Sequence, residues 1–139
     1  MPDTGPPKVP LGRVTFPDAA QGLPLEVELM LTEAHQDRGM MWRKEMAESH
    51  GMMFVFPEPA VHTFWMRNTC LSLDLIYVAA DGFIVGIVEN ARTLDDDPLG
   101  INCKAKYVIE VNAGYSRRHG VRAGQTAQIT GVPELAKPR

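Results

Sequence analysis

The segment from His62 to Val78, HTFWMRNTCLSLDLIYV, carries the densest mixture of aromatic, charged and amide side chains in this chain. Residues 61–66 are rich in aromatic and β-branched side chains, which is typical of a strand whose alternate side chains occupy opposite faces. Residues 73–78 are nearly all apolar, which indicates a strand buried on both faces. Between them lies a polar turn, because Asn68 tolerates left-handed backbone angles and bonds its own backbone. We therefore predict a strand, a tight turn and a second strand.

Asp74 interrupts the second of these strands. A carboxylate among Leu73, Leu75 and Ile76 loses its hydration on folding and is destabilising by several kcal/mol unless a partner replaces the water. Arg67, across the turn, is one candidate partner, and the free backbone amides of the turn are another. The sequence thus predicts that Asp74 is held by a specific partner.

Length and composition place the chain in the class of single globular domains. It has 139 residues, of which 45% are hydrophobic and 22% charged, so one domain with a sizeable core is expected. A net charge of -3 and the lack of any lysine and arginine cluster argue against binding to nucleic acid. No apolar run reaches the roughly 20 residues that a transmembrane helix needs, so we predict no transmembrane segment.

The two ends of the chain are expected to lie outside the folded domain. We predict a flexible Pro-rich arm over residues 1–12, a single β-rich domain over residues 13–132 and a frayed tail over residues 133–139. The N-terminal sequence MPDTGPPKVP has no apolar core of a signal peptide. A periplasmic or exported location is expected if a leader was removed, and a cytoplasmic one otherwise.

The remaining pattern predicts a mainly β fold. Thr32 is the expected N-cap of a short helix that ends at Gly39, and Asp81-Gly82 is a strong hairpin signal. We predict one compact antiparallel barrel or sandwich of about seven short strands with one or two short helices, with an α+β fold as the alternative. The expected strands are 13–16, 23–31, 52–56 ended by two prolines, 61–66, 73–78, 83–88, 107–111 and 126–130; helical turns are expected at 45–48 and 113–119, and a long loop at 90–106. In the strand 107–111, Tyr107, Ile109 and Val111 are expected on one face and Val108 with Glu110 on the other.

No motif in the sequence predicts a metal or a cofactor. The histidines lack an i, i+4 pair, and the run from Asp95 to Asp97 lacks the spacing of a calcium-binding loop. Cys70 and Cys103 match no metal spacing, so we expect them either to pair in an oxidising compartment or to be two small buried apolar residues. The methionines at 40, 41, 52 and 53 indicate a methionine-rich core rather than a copper site. Neither serine nor cysteine occurs in a nucleophile-elbow motif.

Five motifs, taken together, resemble a known family. They are GMMWR at 39–43, GMMFVF at 51–56, FWMRNT at 64–69, LDLIYV at 73–78 and KYVIEVNAG at 106–114. In these motifs and their order, the chain is similar to the family called domain of unknown function 192, a widespread bacterial and archaeal group, from about Val27 to Ile129. The resemblance implies a compact β-rich fold and, for many members, an exported protein, but no activity. Two positions depart from the usual pattern, because the family usually has Lys where Arg67 stands and Ile-Pro where Leu71-Ser72 stands.

Several polar residues of these motifs are candidates for a site. The first hypothesis is a non-enzymatic binding module in which Trp65 and nearby polar groups hold a small polar or sugar-like ligand. A hydrolase that uses Asp74 and Glu110 as a carboxylate pair is an alternative, and so is a protein-interaction domain. A purely structural role, with both carboxylates paired to Arg67 or Lys106, also stays open, and His62 is more often structural than a base. The candidate ligand-binding residues are Arg43, Trp65, Arg67, Asn68, Asp74 and Glu110.

Overall fold

The fold of residues 8–133, which the computed structural model describes, is mainly β. It contains nine strands and two short helices, against about seven strands predicted. The strands and helices are β1 (Leu11–Thr15), β2 (Leu25–Met30), α1 (Glu33–Arg38), β3 (His50–Ala60), β4 (Thr63–Phe64), β5 (Leu73–Val78), β6 (Ile84–Ala91), β7 (Leu99–Gly100), β8 (Ala105–Asn112), α2 (Tyr115–His119) and β9 (Gln128–Thr130).

Seven of the strands form one sheet in the order β6-β5-β8-β3-β2-β1-β9, and β4 pairs with β7 in a small second sheet. The large sheet is not closed into a barrel, although an isolated bridge between Phe83 and Thr126 joins its two edges at one end. Most neighbours are antiparallel, as predicted, but β2 and β3 run parallel. A parallel pair needs a crossover connection, and α1 with its flanking loops supplies it.

Alternation along β8 separates two hydrophobic cores, one on each face of the sheet. Ile109 and Val111 belong to the first core, together with side chains from β1, β2 and α2. Val108 belongs to the second core, which contains the methionines 30, 40, 52 and 66 and Tyr77 of β5. Each such large apolar side chain contributes about 1.5–3 kcal/mol when fully buried. The predicted assignment of the β8 side chains to two faces is confirmed.

The helix α1 follows the predicted capping chemistry. The Thr32 side chain accepts a hydrogen bond from the His35 N–H, and Gly39 ends the helix with a φ of 48°. In the middle of the helix, the Gln36 amide donates to the carbonyls of Met30 and Val55, at 3.0 Å each. These two bonds tie the crossover helix to the ends of the parallel strands β2 and β3.

Several predicted boundaries are wrong, for identifiable reasons. The strand β3 continues through Pro57 and Pro59 to Ala60, because its pairing with β8 is irregular between Val55 and Ala60 and the prolines need not donate there. Of the predicted strand 61–66, β4 retains two residues. Residues 45–48 form no helical turn, whereas the expected loop at 90–106 contains β7. The Asp81-Gly82 hairpin between β5 and β6 is confirmed, and the Asp81 carboxylate accepts from the Phe83 N–H.

The N-terminal strand begins earlier than the predicted domain boundary. β1 starts at Leu11, and the Pro10 carbonyl already accepts a hydrogen bond from the Leu29 N–H at 2.9 Å. The first seven residues of the predicted arm, and residues 134–139 of the predicted tail, lie outside the described part of the chain. Within residues 8–133 no helix has the length and apolar character needed to cross a membrane.

Candidate functional site

A pocket of about 940 Å³ opens over the second core. It is lined by residues 36–41, which are the end of α1 and the turn that follows it, and by the segment 62–65 around β4. Phe54 and Phe56 of β3 also line it. A volume near 940 Å³ is within the range, roughly 300–1,000 Å³, that is typical of small-ligand sites. The remaining lining residues are Arg67, Thr69, Asp96, Pro98 and Glu110.

Glu110 brings a buried carboxyl group to this pocket. In the sheet it lies between Met52 of β3 and Leu75 of β5, both of them fully buried apolar residues. Its side chain is on the second-core face, and the residue is 5% exposed. Its Oε1 atom is buried and has no hydrogen-bond partner in residues 8–133. Burial raises the pKa of Glu110 to about 8, so the carboxyl group is protonated at neutral pH.

Tyr77 provides a second buried polar group beside Glu110. Tyr77 pairs with Val108, and Leu75 pairs with Glu110. The side chains of Tyr77 and Glu110 are therefore diagonal neighbours on one face of the sheet. The Tyr77 hydroxyl is buried and, like the carboxyl, lacks a partner in the described part of the chain. Burial, and to a smaller extent the charge of Glu110, raises the pKa of Tyr77. Two adjacent groups able to donate or accept a hydrogen bond are therefore left without one.

Aromatic rings line the pocket, and one of them packs on Tyr77. Phe64 packs edge to face on Phe54, with ring centroids 5.2 Å apart, and on Tyr77, with centroids 6.2 Å apart. Phe56 stacks on His62 at 3.6 Å. The His62 Nε2 atom lies 2.8 Å from the Ala105 carbonyl, and burial lowers the pKa of His62. A neutral His62 that donates to a backbone carbonyl belongs to the aromatic wall.

An exposed aromatic and an ion pair mark the mouth of the pocket. Trp65 is 44% exposed, and the Arg67 guanidinium lies 3.9 Å from the centroid of its ring. The same guanidinium donates to both carboxylate oxygens of Asp96, at 3.1 and 3.2 Å. This planar two-point contact is one that Arg makes and Lys does not. Trp65 therefore presents indole surface to solvent while Arg67 and Asp96 largely cancel each other's charge.

Strained backbone lies next to this mouth. Trp42, Asn68 and Leu94 have φ angles of 71°, 54° and 55°, which are uncommon for residues with a side chain, above all for Trp and Leu. Hydrogen bonds lock these loops together, since the Trp42 N–H donates to the Asn68 carbonyl and the Leu94 N–H to the Thr69 carbonyl. Strain of this kind persists where the surroundings determine the backbone, and it clusters at binding sites.

Three predicted site residues, Arg43, Asn68 and Asp74, do not line the pocket. The prediction that Asp74 is held by a partner is confirmed, but its partners are the N–H groups of Asn90, Gly114 and Ser116, at 3.0–3.2 Å, and not Arg67. Asp74 is opposite Val111, one position along from the Leu75–Glu110 pair, so Asp74 and Glu110 point to opposite faces of the sheet. The hydrolase hypothesis requires two carboxyl groups that face one cleft. Asp74 and Glu110 do not meet this requirement.

Arg43 is part of a separate buried network. Its guanidinium donates to both oxygens of Glu28, at 2.5 and 2.6 Å, and the His50 Nε2 atom is 2.8 Å from the same carboxylate. Burial alone would raise the pKa of Glu28, but the hydrogen bonds from Arg43 and His50 outweigh it, and the pKa is lowered. This network fastens the crossover connection to β2. Arg43, Asn68 and Asp74 therefore do not share the pocket of Trp65, Arg67 and Glu110.

The sequence interpretation missed the aromatic residues that line the pocket, chiefly Phe54, Phe56 and Phe64. The available signal was weak, because an aromatic residue in an apolar strand is usually part of a core. The expected pairing of Glu110 with Lys106 is also absent, since the Lys106 ammonium donates to the Pro57 carbonyl. No group of three or more metal-ligating side chains occurs within residues 8–133. Cys70 and Cys103 are exposed free thiols.

Comparison with known proteins places this geometry in a family context. The model of the family DUF192, described as "Uncharacterized ACR", matches residues 15–129. Two crystal structures are similar in fold and sequence. A proposed transcription regulator from Sinorhizobium meliloti 1021 is 35% identical, with a TM-score of 0.85 and coverage of 92% of this chain and 100% of that chain. A protein of unknown function from Novosphingobium aromaticivorans is 33% identical, with a TM-score of 0.82 and coverage of 92% and 89%. No curated protein matches.

Proposed function

The chain belongs to the DUF192 family of uncharacterised proteins, and we propose that it is a non-enzymatic module that binds a small polar ligand in the pocket over the second core. One observation carries this proposal. Glu110 lines an open pocket, and neither its Oε1 atom nor the buried hydroxyl of its diagonal neighbour Tyr77 has a hydrogen-bond partner in residues 8–133. Each unsatisfied buried group is destabilising by about 1–3 kcal/mol. A ligand that enters the pocket can supply the missing bonds.

The aromatic walls indicate the shape of the ligand. Phe54, Phe56 and Phe64 provide apolar surface that an alkyl chain or a flat ring would cover. At the mouth, the exposed Trp65 indole is able to stack on a second ring, including the apolar face of a sugar. The expected ligand therefore has an apolar or ring-shaped body and a polar head that reaches Glu110 and Tyr77.

Two other functions are less well supported. The Sinorhizobium meliloti relative is named as a proposed transcription regulator. This chain has a net charge of -3 and no cluster of basic residues in its sequence, so we do not extend nucleic-acid binding to it. A hydrolase with a carboxylate pair is not proposed either, since Asp74 and Glu110 are on opposite faces of the sheet.

The two tryptophans allow a direct test. Because Trp65 lines the pocket and Trp42 does not, Trp42→Phe leaves one indole at the site. We expect saturable changes in its fluorescence when the protein is titrated with members of a panel of monosaccharides, polyols, aromatic alcohols and amines. The matched control is Trp65→Phe, in which the remaining Trp42 should report little change. If no member of the panel produces a saturable change, or if both variants respond equally, the pocket is not a binding site.

Substitution at the mouth tests the same proposal by affinity. Trp65 and Arg67 are both exposed, so Trp65→Ala and Arg67→Ala should leave the melting temperature nearly unchanged. For a ligand found in the panel, we expect affinity to fall by about tenfold in Trp65→Ala, as for other exposed aromatic contacts. If both variants unfold instead, these residues have a structural role and the proposal fails at the mouth of the pocket.

A further inference from the structure

We infer that the ligand carries an ammonium head group, which the Glu110 carboxyl and the rings of Phe54 and Phe64 hold in the pocket. This inference rests on the proposed function, because it names the chemistry of the ligand for that same pocket. It is argued from the missing counter-charge of Glu110, from the arrangement of the rings and from the charges around them.

The first observation is that the basic side chains around the pocket already have partners. Arg67 pairs with Asp96, and Arg43 pairs with Glu28. Lys106 donates to a backbone carbonyl of the β3 bulge. Glu110 is thus a buried acidic group whose Oε1 atom has neither a cation nor a hydrogen-bond donor beside it in residues 8–133. A buried carboxylate is stable only when a positive charge or several donors compensate it.

The second observation is the orientation of the rings. Phe54 and Phe64 both line the pocket and stand at 77° to each other, so two rings of different orientation contribute to its wall. The face of an aromatic ring is electronegative and attracts a cation, and clusters of such rings are a known way of recognising ammonium groups. The same faces do not favour an anion, and the carboxyl group of Glu110 would repel one when ionised. Rings and carboxyl together therefore select a positive head group.

The other charged groups around Glu110 do not cancel this preference. At the mouth, the positive charge of Arg67 is balanced by the negative charge of Asp96. On the β2 side, Arg43 and Glu28 form an ion pair of their own. His62 on the wall is neutral, because burial lowers its pKa. The titratable or charged groups on the surrounding elements are Tyr77 of β5, Asp37 and Arg38 of α1, His62 before β4, Arg67 with Asp96 at the mouth, and Glu28 with Arg43 and His50 beyond Met52.

Proton release gives the inference a distinctive signature. The Glu110 carboxyl has a pKa of about 8, so below that pH it must lose its proton when an ammonium group binds beside it. The affinity for an ammonium ligand should then rise by about tenfold per pH unit from pH 6 to pH 8 and level off above it. A neutral ligand that accepts a hydrogen bond from the protonated carboxyl would show constant affinity below pH 8 and weaker binding above it.

Calorimetry with matched probes tests this signature. We would titrate the full chain with 2-phenylethylammonium, its N,N,N-trimethyl analogue and neutral 2-phenylethanol at pH 6, 7, 8 and 9, in two buffers of different ionisation enthalpy. We expect both cations to bind at least roughly tenfold more tightly than the alcohol at pH 8, with release of nearly one proton at pH 6. In Glu110→Gln, the cations should lose about 10- to 100-fold in affinity together with the pH dependence, and their preference over the alcohol should disappear.

The outcomes separate this inference from the proposed function. If the alcohol binds as tightly as the cations at pH 8, or if cation affinity does not rise with pH, the ammonium inference is overturned while the binding pocket stands. The same conclusion follows if neither probe type binds but a neutral member of the fluorescence panel does. If neither the probes nor any panel member binds, both proposals fail. A Glu110→Gln protein with an unchanged melting curve and wild-type cation affinity would also overturn the assignment to Glu110.

Discussion

Asp74 and Glu110 enter the large sheet from adjacent strands, one position apart in register, and their surroundings differ completely. Asp74 is buried and accepts three backbone N–H bonds from the end of β6 and the start of α2. Glu110, on the other face, has apolar neighbours in the sheet and an Oε1 atom without a partner in residues 8–133. A buried carboxylate whose hydrogen bonds are all made within the protein stabilises the fold. A buried carboxyl group that lacks such hydrogen bonds is available to a ligand.

The largest expected effect is at the satisfied member of this pair. Asp74→Ala leaves three backbone donors without their acceptor, and we expect the free energy of unfolding to fall by about 3–5 kcal/mol. Asp74→Asn keeps one acceptor oxygen and should lose less. Urea denaturation at pH 7 measures both variants. A loss below about 1 kcal/mol for the alanine variant would mean that the amide contacts matter little.

The opposite sign is expected at the unsatisfied member. Glu110→Met replaces the carboxyl with an unbranched apolar side chain of similar size beside Met52 and Leu75. We expect the free energy of unfolding at pH 8 to rise by about 1–3 kcal/mol, because a buried polar group without partners is removed. Binding of the ammonium probes should be lost in the same variant. Urea denaturation that shows Glu110→Met to be less stable than wild type would contradict the view that the protein leaves this group unsatisfied.

The pH dependence of stability contrasts the two states of Glu110. Its pKa is raised to about 8 in the folded protein from 4.5, so the folded state keeps a proton that the unfolded state releases. The stabilisation that this proton gives is complete below the pKa of Glu110 in the unfolded state, 4.5, and it is lost as the pH rises through its pKa in the folded state, about 8. Between pH 6.5 and 8, we expect stability to fall by roughly 1 kcal/mol per pH unit in wild type relative to Glu110→Gln. Denaturation curves at each pH measure the free energy of unfolding of wild type and of Glu110→Gln. If the two free energies change in parallel with pH, Glu110 does not titrate in this way.

The smallest expected effect compares two buried tyrosines. The Tyr77 hydroxyl has no partner in residues 8–133, whereas the Tyr115 hydroxyl donates to the Leu23 carbonyl. Tyr77→Phe should therefore change the free energy of unfolding by less than about 0.5 kcal/mol or increase it, while Tyr115→Phe should decrease it by about 1 kcal/mol. Thermal and chemical denaturation of both variants measures the difference. Equal losses in the two variants would indicate that the Tyr77 hydroxyl has a partner in solution.

Much of the architecture was predictable from local chemistry. Thr32 and Gly39 bound the first helix as expected, and Asp81-Gly82 forms the expected hairpin. The alternation at 107–111 assigned Glu110 to the face opposite Ile109 and Val111. The boundaries that failed depend on partners that are distant in sequence. Pro57 and Pro59 end a strand in isolation, but the bulged pairing of β3 with β8 tolerates them.

The candidate site was only partly predictable for the same reason. Trp65, Arg67 and Glu110 line one pocket, as the binding hypothesis supposed, while Arg43, Asn68 and Asp74 do not. Phe54 and Phe64 of the pocket come from β3 and β4, Tyr77 of β5 packs on Phe64, and no sequence spacing relates the three. Their proximity follows from the placement of β8 between β3 and β5 and from the return of the segment 62–65 over that face.

The amino-acid sequence alone determined the mainly β class, the caps and turns, and the need of Asp74 for a partner, because each depends on residues a few positions apart. The tertiary structure decided which carboxyl group is satisfied. Strand order and register place Asp74 against the amides of two distant segments, and they place Glu110 between Met52 and Leu75. A shift of one residue in register moves every side chain of a strand to the other face. The difference between a structural carboxylate and an available one is therefore a property of the assembled sheet.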